Sequence, residues 1–269
     1  MARLVHNRDI SPVLATAKTW INSCLIGDAS IFGARALWTK DLISEVGHAF
    51  VDNPDFGDAD FITKLMGQLK STSPAAQKLA AELLWALLLF PSNVKPSTKR
   101  LQIMKTWALS GERLDEKQPN LQDTVLAGIG SGGTGFNNYR PLELEYLIGL
   151  VAELKQKPQE ERGLIFSDYD AFVDWIDRVP SNGRRQFRHM IRYFSFPDKV
   201  ERMSSNNDRA SILDAFDVEK KRVTRHWTDS QFDEALHDLR TKIEIDKPGE
   251  IIDFYMPALK YRWRDEHQI

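Results

Sequence analysis

An apolar segment running from Leu79 to Phe90, interrupted only by Glu82, restricts the folds open to this chain. Before it, Ser73-Pro74-Ala75 supplies a capping residue followed by proline at the first helical position, and Pro91 after it stops a helix. The segment is too short to span a bilayer. It therefore predicts a helix buried at the centre of a globular core.

Further segments show the apolar spacing of three and four residues that is typical of amphipathic helices. One of them follows a capping box formed by Thr228 and Gln231, which predicts a helix beginning there. These segments are Leu144–Leu154, Phe172–Val179, Phe187–Phe194 and Phe232–Ile243.

Alternation with a period of two residues, the pattern of a half-buried strand, is scarce. The best strand candidates are Lys242–Asp246 and Glu250–Tyr255. We therefore predict a mainly α fold, a multi-helix globular module with at most a small minor sheet near the C-terminus.

Helical patterning lapses in the polar stretch from Ser110 to Asn120 and again in the glycine-rich residues 128–135. This lapse is longer than an ordinary connection between helices. We therefore predict two helical subdomains, residues 1–115 and residues 116–269. The second would contain both the glycine-rich loop and an arginine-rich helix.

The charge of the chain is nearly balanced, with 36 basic and 38 acidic side chains and a net charge of -2. No global field therefore indicates a nucleic-acid or membrane partner, and any such site must be local. The single Cys24 cannot form an internal disulfide, and the first residues lack the apolar run of a signal peptide. These features predict a cytoplasmic protein without a membrane partner.

Five glycines lie within residues 128–135. Glycine-rich loops can cradle phosphate, but a P-loop ends in Gly-Lys-Ser/Thr, whereas Gly135 is followed by Phe136-Asn137-Asn138. No convincing strand precedes the loop, so the dinucleotide-binding fingerprint fails as well. We predict a structural or partner-contact loop, with contact to an anion or a nucleic-acid backbone as the alternative; the docking hypothesis requires residues 128–138 to be exposed. The candidate contact residues are Gly130, Gly132, Gly133, Gly135, Phe136 and Asn137.

A predicted helix over residues 184–196 carries arginines at positions 184, 188 and 192. On a helical wheel these arginines lie within about 80° of one another and away from the apolar residues, which predicts a basic stripe facing solvent. Between residues 181 and 209 there are seven basic and three acidic side chains, so this region could neutralise phosphates. The alternatives are a solvated helix face and arginines paired with carboxylates elsewhere in the fold. The candidate nucleic-acid contacts are Arg184, Arg185, Arg188, Arg192, Lys199 and Arg202.

Catalytic and metal-binding patterns are weak. Pro197-Asp198 followed by Glu219-Lys220-Lys221 matches a short magnesium-nuclease pattern, but both carboxylates fall in helix-prone sequence where that pattern needs neighbouring strands. The six histidines show no metal spacing, and one cysteine excludes a cysteine-rich zinc site. We predict no catalytic residue, metal or cofactor, and a magnesium nuclease remains a separate hypothesis.

Four stretches taken together resemble the region upstream of the motor in McrB-type AAA+ proteins of restriction and phage-defence systems. They are Ala81–Arg100, Gly130–Asn138, Phe187–Asp198 and Asp253–Arg264. The resemblance implies a hexameric, nucleotide-hydrolysing motor downstream and a separate McrC-type nuclease as a partner. Some upstream regions of this family recognise modified DNA. The chain carries no Walker A or Walker B element, so hydrolysis is not carried over to it.

The residues and the resemblance together predict a non-catalytic recognition or regulatory module of a McrB-like defence protein. In this interpretation the module senses nucleic acid, with DNA as the candidate ligand, and couples it to the motor. The alternative is an assembly or docking adaptor that does not bind nucleic acid.

Overall fold

The computed structural model describes residues 5, 8–33, 35–181, 183 and 185–264. These residues form the mainly α fold that was predicted, and the only extended pairings among them are three isolated bridges, Val5–Arg8, Ala29–Ala36 and Pro91–Gly130. No helix in the described part of the chain is long and apolar enough to cross a bilayer.

Both strand predictions are wrong. Residues 242–246 form the end of the helix Asp229–Asp246, because Ile243 keeps the helical spacing from Leu239 and the preceding turns carry the helix through. Residues 250–255 have an irregular backbone that leads into a turn.

The chain divides into two compact units. The first unit is Pro12–Arg188, and the second unit combines Met1–Ser11 with His189–Ile269. The predicted boundary near residue 115 lies inside the first unit. The polar stretch around this boundary, Ser110 to Asn120, is anchored to the core. The carbonyl of Asn120 accepts a hydrogen bond from Trp85 Nε1 at 2.9 Å, and its side-chain amide donates one to the carbonyl of Ile31 at 2.8 Å.

The first unit is built from short and medium helices joined by ordered loops. The first of these helices, α1, continues as a π-helix over Ile21–Ile26, and Pro119–Leu121 forms a single 3₁₀ turn. The helices are α1 Ser11–Trp20, α2 Lys40–Phe50, α3 Phe61–Gln68, α4 Pro74–Leu88, α5 Pro96–Ala108, α6 Asp123–Leu126, α7 Gly133–Asn138, α8 Arg140–Leu154, α9 Gln159–Ser167, α10 Tyr169–Arg178 and α11 Phe187–Ser195.

The predicted core helix is α4. Ser73 caps it by accepting the N–H of Ala76 at 3.2 Å, and Pro74 occupies its first position, as the sequence indicated. Every residue from Ala76 to Leu88 is buried, because α2, α5 and α8 all pack against this helix. A helix buried on all sides needs an apolar sequence all round, which explains the unbroken apolar run.

The one carboxylate in that run, Glu82, is fully buried and organises the loop before α2. It accepts hydrogen bonds from Ser30 Oγ, from the N–H of Ile31 at 3.1 Å and from Trp38 Nε1 at 2.6 Å. Burial raises the pKa of Glu82, and these donors partly oppose that rise. Glu82 therefore fixes the loop to the core helix.

A second buried charge closes the end of the α1 and π-helix segment. The ammonium group of Lys155 donates to the carbonyls of Cys24 at 2.6 Å and Leu25 at 2.9 Å and pairs with Asp28 at 2.9 Å. Arg162 also pairs with Asp28, at 2.8 Å. Burial lowers the pKa of Lys155 to about 8. The cations thus satisfy carbonyls that a helix leaves without partners at its C-terminal end.

The second unit contains the remainder of α11 and four further helices. They are α12 Asn206–Ala215, α13 Lys221–Thr224, α14 Asp229–Asp246 and α15 Pro257–Trp263. The predicted capping box opens α14, with Thr228 and Gln231 making both reciprocal bonds. The apolar core of the second unit contains Ile212, Leu236 and Phe254 among other side chains.

Candidate functional site

The arginine helix begins at Phe187, three residues later than predicted. Glu143 on α8 is fully buried and accepts the N–H groups of Gln186 at 3.0 Å and Phe187 at 2.9 Å. A carboxylate from another helix thus caps the start of α11. Arg185 precedes the helix, and Arg184 lies outside the described residues.

Arg192 contradicts the prediction of a solvent-facing basic stripe, because its side chain is completely buried. It donates to Asp233 Oδ2 through Nε at 3.0 Å and through Nη2 at 2.6 Å. Arg209, also completely buried, donates to the other oxygen of the same carboxylate. Residues His189–Phe194 are all buried, so this part of α11 has no solvent face on which a stripe could lie.

The other predicted contacts are largely paired as well. Arg185 is buried, with Nη1 at 3.8 Å from Glu143, and Arg188 pairs with Asp177. Arg202 donates to both oxygens of Asp253 at 2.6 Å. Among the candidate nucleic-acid contacts that the structure describes, Lys199 alone has an exposed side chain. Arg188, Arg192 and Arg202 are therefore paired with carboxylates elsewhere in the sequence, which is the alternative interpretation, and this geometry does not favour phosphate binding along α11.

The glycine-rich loop packs against the core as a structural loop, and only part of it has the exposure that the docking hypothesis requires. Its first half lies against the end of α4, where the carbonyl of Phe90 accepts the N–H of Ile129 at 2.8 Å and Ser92 donates to the carbonyl of Gly130 at 2.7 Å. Gly128, Ile129 and Gly130 are buried. The glycines permit this close approach, because a Cβ on Gly128 would lie 2.5 Å from the carbonyl oxygen of Pro91.

The second half of the loop is only partly accessible. Gly132 is buried and donates its N–H to Asn93 Oδ1 at 3.3 Å, and Phe136 is fully buried. Gly133 and Gly135 are half-buried, and Asn137 is exposed. Among the predicted partner contacts, therefore, Asn137 has the most accessible side chain.

Replacing Gly128 with alanine tests the structural role of the loop. Gly128 has a φ of 75°, and a methyl group would also clash with backbone, so we expect a loss of about 2–3 kcal/mol in the free energy of unfolding. Gly163→Ala is the matched control: it lies within α9 with nothing near its missing Cβ, so it should raise stability by roughly 0.5–1 kcal/mol. Urea titrations measure both effects, and a loss of only about 1 kcal/mol for Gly128→Ala, which the positive φ alone would cause, would show that the loop is loosely packed.

A basic segment that the prediction did not use lies in the second unit at Lys220–His226. It carries four formal positive charges and no acidic residue. Thr224 is fully buried and anchors the short helix α13, whereas Lys220, Lys221, Arg222 and Arg225 are exposed.

The charges of the basic segment are only partly neutralised. Lys220 pairs with Asp214 at 3.0 Å and contacts Asp217 at 3.8 Å. Lys221, Arg222 and Arg225 form no ion pair with a described carboxylate. A count of charge in windows of seven residues detects this cluster in the sequence. The nuclease pattern includes Lys220 and Lys221 but does not extend to Arg222 and Arg225.

The nuclease pattern gains no support from the local structure. Asp198 lies in a turn after α11, and Glu219 lies in the connection between α12 and α13, so neither is on a strand. No group of three or more metal-ligating side chains occurs among the residues that the structure describes.

No family model, curated protein or solved structure matches this chain.

Proposed function

We propose that the chain is a non-catalytic recognition module that binds the phosphate backbone of nucleic acid through the basic segment of its second unit. The observation that carries this proposal is the exposure of Lys221, Arg222 and Arg225, which form no ion pair with any carboxylate in the described part of the chain. Cations of this kind displace condensed counterions from nucleic acid, which gives binding that weakens steeply with salt.

The form of the segment favours contact with the backbone over reading of bases. Helix α13 has four residues, Lys221–Thr224, and Thr224 faces the protein interior. So short a helix cannot lie along a major groove as a recognition helix does. Phosphate contacts position a protein on nucleic acid without specifying a sequence.

A neighbouring arginine supports the same surface. Arg262 on α15 is exposed and donates through Nε to the carbonyl of Ala215 at 3.0 Å. Its guanidinium carbon lies 4.1 Å from the centre of the Phe216 ring. Lys220 reaches Asp214 in the same last turn of α12. Arg262 and Lys220 therefore both lie at the C-terminal end of α12, which adds a cation beside the basic segment.

We further propose that this binding regulates a nucleotide-driven AAA+ motor, with a McrC-like nuclease as the effector. This part of the proposal depends on the resemblance to the region upstream of McrB-type motors. The chain itself would supply recognition and not hydrolysis.

The triple variant Lys221→Ala/Arg222→Ala/Arg225→Ala tests the proposal. Each phosphate contact contributes roughly 0.9 to the slope of log K against log salt, so loss of three contacts should reduce the slope by about 2–3. Affinity for duplex or single-stranded DNA should fall at least 10-fold at low salt. Fluorescence anisotropy across a salt series measures both quantities.

Lys18→Ala/Lys70→Ala/Lys105→Ala is the matched control, because it removes the same charge from exposed positions on the first unit. It should retain the wild-type slope. Equal losses in the two triple variants would mean that net charge alone governs binding, and the basic segment would then have no special role.

A docking adaptor is the second candidate function, and the conformation of Phe56 favours it. This side chain is 90% exposed in a loop that also contains Asp52, Asp55 and Asp58. An exposed aromatic residue among acidic ones fits an apolar pocket with a basic rim on a partner protein. Absence of DNA binding by the wild-type chain at low salt would leave this candidate in place of the first.

A further inference from the structure

Two guanidinium groups beside the glycine-rich loop have buried N–H groups that find no acceptor among the residues that the structure describes. They are Nε and Nη1 of Arg185 and Nε of Arg140. The side chain of Arg185 is 8% exposed. A buried donor without an acceptor is costly, and more so when it is charged, so such atoms usually point to a ligand or another missing acceptor.

One exposed aromatic residue, Tyr139, adjoins both arginines, one through the chain and the other through a side-chain contact. Arg140 follows Tyr139 in the chain, and the guanidinium carbon of Arg185 lies 5.8 Å from the centre of the Tyr139 ring. The Tyr139 side chain is 55% exposed. Arg140 Nη2 donates to Asn137 Oδ1 at 3.2 Å, and its buried Nε has no acceptor among the described residues.

The nearest carboxylate does not satisfy Arg185. Both oxygens of Glu143 already accept backbone N–H groups of Gln186 and Phe187, and Arg185 Nη1 stands 3.8 Å away, too far for a hydrogen bond. Burial raises the pKa of Glu143 and lowers the pKa of Arg140. The surroundings of Tyr139 therefore combine two cations with one carboxyl group that is already engaged.

The glycine-rich loop contributes to this arrangement by its packing. A Cβ on Gly135 would lie 2.7 Å from Nε2 of Gln186. The absence of a side chain at Gly135 thus leaves room beside α7 for the amide group of Gln186, the residue after Arg185.

We propose that Tyr139, Arg140 and Arg185 form a binding site for a phosphate-bearing ligand of the nucleotide class. The two guanidinium groups donate to phosphate oxygens, and a base stacks on the Tyr139 ring. The site belongs to the first unit and does not depend on the basic segment of the second unit.

The test uses the full chain and three probes at constant ionic strength: inorganic phosphate, adenosine monophosphate and a short single-stranded DNA. A ligand that binds the folded state raises the unfolding midpoint, so thermal unfolding across a ligand series gives apparent affinities. All three probes should stabilise the wild-type chain. A response to phosphate and to the monophosphate separates a free-nucleotide site from one that requires a DNA strand.

Arg140→Gln and Arg185→Met should each weaken the affinity for inorganic phosphate and adenosine monophosphate by about 10-fold or more, because each loses a charge-assisted hydrogen bond, whereas single-stranded DNA keeps its contacts with the basic segment. Tyr139→Ala should weaken adenosine monophosphate binding by about 10-fold and leave inorganic phosphate within about 2-fold. Without ligand, Arg185→Met should be as stable as the wild type, because it removes unsatisfied buried donors. If Arg185→Met does not fold, Arg140→Gln decides the matter.

The Lys221→Ala/Arg222→Ala/Arg225→Ala variant should keep wild-type affinity for adenosine monophosphate, so this proposal and the proposed function fail separately. A wild-type chain that neither inorganic phosphate nor adenosine monophosphate stabilises overturns the inference, even if DNA stabilises it through the basic segment. So do Arg140→Gln and Arg185→Met variants that bind as the wild type does.

Discussion

Replacing Asp233 with alanine is expected to lower the free energy of unfolding of the second unit by about 4–5 kcal/mol. Asp233 lies on α14 and is fully buried, and its two oxygens bind the buried guanidinium groups of Arg192 and Arg209. Its removal leaves two cations without this counter-ion in a medium of low dielectric constant. Such a loss is a large fraction of the stability of an ordinary domain.

Two companion variants separate this mechanism from a general effect on α14. Asp238→Ala removes a carboxylate from the same helix, but its side chain is 77% exposed, so stability should change by less than about 0.5 kcal/mol. The apolar triple variant Arg192→Met/Arg209→Met/Asp233→Leu should recover much of the loss, because it removes both buried guanidinium groups together with the carboxylate between them and leaves only the slightly exposed Asp229 of that network. Denaturant titrations and hydrogen exchange of α14 measure these effects. A triple variant as unstable as Asp233→Ala would show that the loss came from packing.

Replacing Glu82 with alanine is the second change expected to have a large effect, about 3–5 kcal/mol on the first unit. Three donors would lose their acceptor, namely Ser30 Oγ, the N–H of Ile31 and Trp38 Nε1. Trp38 lies 5.9 Å from Trp20 between ring centres, so the change should also alter the near-ultraviolet circular dichroism of these tryptophans.

Glu160→Ala, at an exposed position on α9, is the control and should change stability by less than about 0.5 kcal/mol. Glu82→Gln should be intermediate, because an amide offers one acceptor oxygen and turns its NH₂ group toward donors. If Glu82→Ala were no worse than Glu160→Ala, the carboxylate would not be what holds the loop.

The raised pKa of Glu82 determines the direction in which the free energy of unfolding changes with pH. A carboxyl group whose pKa is higher in the folded state contributes stability that is fully present below its unfolded pKa of about 4.5 and is lost as pH rises through the folded pKa. The stability difference between the wild type and Glu82→Gln should therefore shrink as pH rises across this window.

The sequence predicted those elements whose signals are local. The core helix α4 could be found from its apolar run and the cap at Ser73, and α14 could be found from the Thr228 capping box. Both signals lie within a few residues of the structure that they specify. The mainly α class followed from helices of this kind.

The arginine face could not be predicted because its partner is distant in sequence. Helical periodicity placed Arg192 away from the apolar residues, but whether that face meets water depends on Asp233, which is 41 residues further along. Polar residues on a helix can face solvent or a buried counter-charge, and periodicity does not distinguish these cases. The burial of the glycine-rich loop could not be predicted for the same reason, since its packing against Pro91 is a tertiary contact.

We propose that nucleic acid contacts the basic segment and not the paired arginines of α11. Lysine acetylation followed by mass spectrometry, with and without duplex DNA, tests this assignment most directly. We expect DNA to protect Lys220 and Lys221 several-fold, while Lys18 and Lys70 on the first unit react equally in both samples. Unchanged acetylation of Lys220 and Lys221 in a saturated DNA complex, with Lys199 protected instead, would contradict the account.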